Sequence, residues 1–227
     1  MNGKHKWLRI SVVLCLVFTI IWLVLMIVSL LKTGPIDSFE KAVSLVKNPN
    51  VIFDLSYINA VFVTITTTMF FTILYLYCKT RDPELSLMSF VFVPVYCIFN
   101  LFVYYSQVTI LPRIVSQMNT SGFPEMYKIM LGQFIQVWPH SGVAIINGFA
   151  YGILGIPSII FGNLLMKGRR LTAIGGLLLL LNGVACIVGS IGYVMNNEIL
   201  TAGSVIGGVL YLLSLIVILM AICRNEM

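Results

Sequence analysis

The chain has 227 residues, of which 59% are hydrophobic and 10% charged, with a mean hydropathy of +1.00. A soluble domain carries about 25% charged residues, so an ordinary water-soluble fold is excluded. The net charge of +6 arises from 14 basic and 8 acidic residues; the basic ones sit in the gaps between apolar runs, which is a signal of membrane topology and not of nucleic-acid binding.

Residues Ile10 to Leu31 carry no charge and follow Lys4, Lys6 and Arg9. A cleavable signal peptide would have an apolar region of about 7–15 residues ending at a small-residue site. None is present, so this run reads as a retained first transmembrane helix. Between Pro35 and Pro49, Phe39, Ala42, Val43 and Val46 recur at helical spacing opposite Glu40, Lys41, Ser44 and Lys47, which predicts a short interfacial helix. Leu55 to Tyr77 is the second span and Ser86 to Leu111 the third. Asp82-Pro83-Glu84 supplies the third with an N-cap, a first-turn proline and a first-turn acid, and Leu111-Pro112 is expected to close it.

Glu125 to Trp138 places Met126, Ile129, Met130, Phe134 and Val137 on one side. It is too short and polar to span, and is expected to lie on or dip into the outer surface until Pro139 breaks it. Gly142 to Met166, Leu171 to Val194 and Ile199 to Cys223 complete six spans, with Gly168 expected as a left-handed cap ending the fourth. The fold class is therefore all-α: one six-helix transmembrane domain over residues 1–227 with two amphipathic helices in its outer loops.

Nine basic residues (Lys4, Lys6, Arg9, Lys79, Arg81, Lys167, Arg169, Arg170 and Arg224) lie at the termini and in the even loops, and the other five, Lys32, Lys41, Lys47, Arg113 and Lys128, in the longer odd loops. The positive-inside rule then puts both termini in the cytoplasm, with the cell membrane as the expected location. Asn119-Thr120-Ser121 is a glycosylation sequon on the predicted outer side.

The halves differ in composition. Of 18 glycines only Gly3 and Gly34 precede residue 114, whereas 18 of the 27 aromatics do. Ala144, Gly148 and Gly152, then Ala185 and Gly189, then Gly203 and Gly207 repeat at four-residue spacing on the last three spans. Such faces allow close helix approach, either inside one bundle or toward a homo-oligomer or partner subunit.

Catalytic signatures are missing. His5 and His140 fall on opposite sides of the predicted membrane, the five cysteines are scattered without a C-x-x-C pair, and no nucleotide or hydrolase motif occurs. No cofactor, metal site or catalytic residue is expected. No Asp, Glu, Lys or Arg occupies a span centre, which argues against proton-coupled transport.

Uncharged polar residues do occupy the spans. Tyr96, Asn100, Tyr104 and Gln107 draw one stripe on the third, Thr64, Thr68 and Thr72 another on the second, and Asn147 with Tyr151 and Asn182 with Tyr193 add more. They are expected to face the bundle interior, lining a cavity or tying helices together by hydrogen bonds. Threonine hydroxyls can instead bond their own helix. Asp54, Arg113, His140 and Glu198 gather at the outer span ends. If they converge, they frame a site above Tyr104, Tyr105 and Gln107, with Trp138 at its rim and Arg113 holding an anionic head group; otherwise they are interface anchors.

The first span with its outer amphipathic segment ending in Asn48-Pro49, the run Tyr104-Tyr105-Ser106-Gln107-Val108-Thr109 closing on Leu111-Pro112, and Gly168-Arg169-Arg170-Leu171-Thr172-Ala173-Ile174-Gly175-Gly176 resemble small six-helix integral membrane proteins of bacteria and archaea that form families of unknown function. The resemblance implies the architecture and lends no catalytic residues. The expected function is a non-catalytic membrane protein binding an amphiphilic or lipid-like molecule in a polar-lined cavity open to the outer face, as sensor, carrier or resistance factor. The alternatives are a subunit docking through its glycine-rich helices and a lipid-acting enzyme.

Overall fold

The computed structural model describes the backbone of residues 3–120 and 124–227 and the side chains of residues 5–118 and 125–227. The sequon Asn119-Thr120-Ser121 lies outside the described side chains. Among the described residues there are nine helices and no strand: α1 (Gly3–Thr33), α2 (Phe39–Lys47), α3 (Val51–Cys78), α4 (Pro83–Phe90), α5 (Phe92–Thr120), α6 (Pro124–Phe134), α7 (Gly142–Met166), α8 (Arg170–Val194) and α9 (Glu198–Cys223). Six segments are long and apolar enough to cross a membrane: α1, α3, α4 with α5, α7, α8 and α9. The chain is an all-α multi-pass bundle, and exposed apolar faces such as Val17, Ile20, Val24 and Ile27 on α1 are what a lipid-solvated surface requires.

The six spans pack in cyclic order. α1 lies on α3, α3 on α5, α5 on α7, α7 on α8 and α8 on α9, and α9 returns to α1. One end of the ring carries both termini; the other is covered by α2 and α6 and is called the cap face below. Two apolar clusters fill the ring. Phe70, Phe71, Phe161, Tyr211 and Leu215 anchor the one nearer the termini. Tyr57, Val103, Leu111, Leu131 and Ile135 anchor the one under the cap.

Helix starts follow from capping side chains that satisfy otherwise orphaned N–H groups. The Ser38, Asn50, Asp82, Ser141 and Asn197 side chains each accept from the backbone N–H three residues on. The N-cap of α8 is Arg169, which makes no side-chain cap bond. Its first turn is served instead by the end of the chain: the Leu171 N–H donates to Glu226 Oε2 at 2.8 Å, and Thr172 Oγ1 donates to the Glu226 carbonyl at 2.9 Å. Glu226→Ala is expected to lower stability by about 1 kcal/mol, the usual worth of an N-cap, measured as a shift in the thermal unfolding midpoint in detergent.

Three local expectations are corrected. The third span does not end at Leu111. Its helix breaks briefly at Val91 and then runs through Pro112 to Thr120. Proline removes a single hydrogen bond, and Leu111 and Ile114 on either side of it are buried under the cap, which holds the helix together. Gly168 is not left-handed; that conformation belongs to Gly34, φ +68°, whose N–H donates to Leu30 O at 2.9 Å and closes α1. At Gly168 a side chain would meet Thr172 Cγ2 at 2.8 Å, so packing explains that glycine. The second outer helix stops at Phe134, before Pro139, and Gln107 satisfies its final carbonyl, one of those any helix end leaves free.

The glycine faces are filled within the chain. A Cβ at Gly155 would lie 2.6 Å from the Gly183 carbonyl oxygen on α8, and one at Gly203 2.6 Å from the Ala185 carbonyl oxygen. Gly148 faces the Tyr193 ring, Gly152 faces Ser190, Gly189 faces Ser204 and Gly207 faces Cys186. These contacts bring the α7, α8 and α9 backbones close enough for Asn182 Nδ2 to donate to Gly207 O and Ser214 Oγ to Gly175 O, both at 2.9 Å.

Candidate functional site: a buried polar junction

α5 and α7 pack side by side in opposite directions, and each carries the same spacing on its facing side. Asn100 and Tyr104 stand four residues apart on α5, and Asn147 and Tyr151 four apart on α7. That spacing puts each pair on one helix face. Antiparallel packing crosses the pairs, so Asn100 comes beside Tyr151 and Asn147 beside Tyr104. Between them the Tyr104 and Tyr151 hydroxyls share a hydrogen bond of 2.8 Å.

The junction is buried and carries no carboxylate, lysine, arginine or histidine side chain among the described residues. Asn100 is 0% exposed, Tyr104 5% and Asn147 9%. Tyr96 lies one turn along α5, its ring centroid 6.0 Å from that of Tyr151. Thr64 of α3 closes the third side: it donates to its own helix at Ala60 O and accepts from Asn100 Nδ2 at 3.3 Å. The Asn147 amide lies in hydrogen-bond reach of the Tyr104 hydroxyl and the Asn100 amide of those of Tyr151 and Tyr96, while Asn100 Oδ1 and Asn147 Oδ1, like Asn182 Oδ1 elsewhere in the bundle, are buried without an accepted hydrogen bond. A buried, unmatched amide oxygen costs on the order of 1–3 kcal/mol, and native proteins rarely leave two together without a ligand or ordered water to fill them.

Asn147 lies five residues into α7 from the cap end, about 8 Å along the helix axis. The junction therefore sits in the cap-side half of the bundle, where the two apolar clusters meet. Tyr151 packs on one cluster and Tyr104 belongs to the other.

Of the residues singled out from the sequence, Asn100, Tyr104, Asn147 and Tyr151 converge. Gln107 is buried beside them but spends its amide on the cap: Nε2 donates to Phe134 O at 2.9 Å and Oε1 accepts from the Gln136 N–H at 3.0 Å. The Tyr57 hydroxyl then donates to Gln136 Oε1 at 2.9 Å. Gln107 is thus the staple that fixes the turn after α6 over the bundle. Asp54, Arg113, His140 and Glu198 are all exposed, and none of them forms an ion pair among the described residues. Among the described residues the one ion pair is Lys41–Asp37. Tyr105, expected beneath that site, is 61% exposed on the outside of the ring. Leu131 and Ile135 are buried in the cluster that Tyr104 belongs to, and the Gln107 bond to Phe134 O ties the turn after α6 over it.

The threonine stripe behaves as hydroxyls in helices do. Thr64, Thr68 and Thr72 each donate to the carbonyl four residues back. One polar contact was invisible in the sequence: Cys15 of α1 lies 3.2 Å from the Tyr211 hydroxyl of α9 and 3.4 Å from Thr67 Oγ1 of α3. No local spacing links residues 196 positions apart. The paired Asn-x-x-x-Tyr spacing, by contrast, was a readable signal once α5 and α7 are recognised as neighbours.

Compared with known proteins, the chain matches no family model, no curated protein and no solved structure.

Proposed function

We propose that this multi-pass membrane protein is non-catalytic and binds a small amphiphilic molecule at the α5–α7 junction, holding its polar head between Asn100 and Asn147. The observation that carries this reading is the pair of fully buried amide oxygens, each without a partner, flanking the Tyr104–Tyr151 hydroxyl pair. They call for a hydrogen-bond donor. The junction has no charged side chain to neutralise an ion, and an uncompensated charge in hydrocarbon is costly. The head group is therefore neutral, a hydroxyl or an amide, and not the anion that Arg113 would have held. An apolar tail fits the surroundings, since Phe99 and Phe149 pair edge to face at 5.6 Å across the same two helices and Phe149 is 51% exposed to the lipid side. Entry is from the bilayer, between α5 and α7. The excess of basic residues at the termini and in the even loops supports cytoplasmic termini and the cell membrane as the location.

The test is the intact mass of the gently solubilised protein. One small molecule is expected to stay bound in fixed ratio to the wild type and to be lost from Asn100→Leu and Asn147→Leu. Equal retention by the wild type and both variants would remove the junction as the site.

A further inference from the structure

Apart from the buried junction, the cap face carries a groove of about 240 Å³ between α2 and α6, lined by Phe39, Glu40, Val43, Ser44, Lys47, Asn48 and Lys128. α2 lies flat because Ala42 and Val46 are buried beneath it. Its Phe39 ring rests at 3.6 Å from where a Gly132 side chain would start, and 5.7 Å from the Trp138 ring. Trp138 and the beginnings of α3 and α7, two of the apolar spans, lie at this end of the bundle, and tryptophan at span ends is enriched where a bilayer turns from hydrocarbon to head groups.

The charges in the groove are unequal. Lys47 stands on one wall and Lys128 on the other, against a single carboxylate, Glu40. Glu40 forms no ion pair with either, since Lys41–Asp37 is the one ion pair among the described residues. Lys41 is engaged there: it donates to Asp37 Oδ2 at 2.8 Å and holds that carboxyl below its usual range. The floor between the lysines is apolar, from Phe39 and Val43. Two ammonium groups over an apolar floor at the membrane surface complement an anionic head attached to an acyl chain.

We infer that the α2–α6 groove is a docking site for the phosphate head group of an anionic phospholipid, clasped between Lys47 and Lys128 with its glycerol end against Phe39 and Val43. Both lysines belong to the cap, one on each of its helices, so a lipid held there ties α2 to α6. This site is separate from the α5–α7 junction and does not depend on it.

The test uses the whole protein in nanodiscs of phosphatidylcholine containing a small fraction of phosphatidylglycerol. Exchange of a spin-labelled phosphatidylglycerol is followed for the wild type, for Lys47→Gln with Lys128→Gln, and for Lys41→Gln. Each basic residue near an anionic surface is worth about 1 kcal/mol, so the double variant is expected to lose about 25-fold in apparent affinity at 1.4 kcal/mol per tenfold. Lys41→Gln, and Lys47→Arg with Lys128→Arg, should keep the affinity. Equal affinity in the wild type and the double glutamine variant would overturn the inference. Displacement of the lipid by millimolar inorganic phosphate would also overturn it, by showing a site for the free anion.

Discussion

Gly183→Leu is expected to cost about 3 kcal/mol or more, at the upper end of what overpacking does to a filled interior. A side chain there would start 2.9 Å from the Ile159 backbone nitrogen and 2.8 Å from Ile159 Cγ1 of α7. Backbone atoms cannot rotate aside, so α7 and α8 must separate. Gly208→Leu is the matching control. Nothing lies within 4 Å of a Cβ at Gly208, and leucine is a better helix former than glycine by several tenths of a kcal/mol. Its stability should be unchanged or slightly higher. Unfolding in detergent, read by tryptophan fluorescence, distinguishes the two; a neutral Gly183→Leu would mean that α7 and α8 do not cross as described.

Gln107→Met keeps the volume of the side chain and removes its amide. The Phe134 carbonyl and the Gln136 N–H would then be left without the partners they have at 2.9 and 3.0 Å. Each unmatched buried group costs about 1–3 kcal/mol, so a loss of about 3 kcal/mol is expected, concentrated in the cap. Amide hydrogen exchange should quicken across α6 and residues 135–138 while the centres of α8 and α9 stay protected. Tyr57→Phe removes only the bond to Gln136 Oε1 and should cost about 1 kcal/mol. A uniform change over all helices after Gln107→Met would contradict the role of this side chain as the cap's staple.

The spans were legible because hydrocarbon thickness imposes a length on apolar runs that no other packing rule obscures. The start of the third span was legible for a local reason: Asp82 accepts from the Leu85 N–H at 3.0 Å, a bond between residues close in sequence. Its end was not. Pro112 is a helix breaker when read alone, and what carries the helix past it is the burial of Leu111 and Ile114 against segments far along the chain. The inward orientation of Tyr96, Asn100, Tyr104 and Gln107 followed from periodicity, since all four are buried.

Which of the polar residues meet did not follow from the sequence. Asp54, Arg113, His140 and Glu198 share a face of the membrane, but a shared face fixes depth and leaves rotation about each helix free. Asn147 joined Tyr104 because α5 and α7 are neighbours in the ring, a fact set by the close α7–α8 and α8–α9 contacts that the glycines permit. The glycine spacing predicted close approach, while the choice between a partner chain and the same chain rested on tertiary order.

Whether the junction amides serve a ligand beyond the α5–α3 bond of Asn100 to Thr64 is tested most directly by the stability of Asn147→Leu in lipid-free detergent. Asn147 Oδ1 is buried without a partner, so replacing the amide by an apolar side chain of similar size removes a desolvation cost of about 1–3 kcal/mol. The variant is predicted to unfold at the same temperature as the wild type or higher, having lost the bound molecule. A variant destabilised by about 2 kcal/mol or more, with the bound mass unchanged, would show that the amide holds the helices together and that the junction is structural.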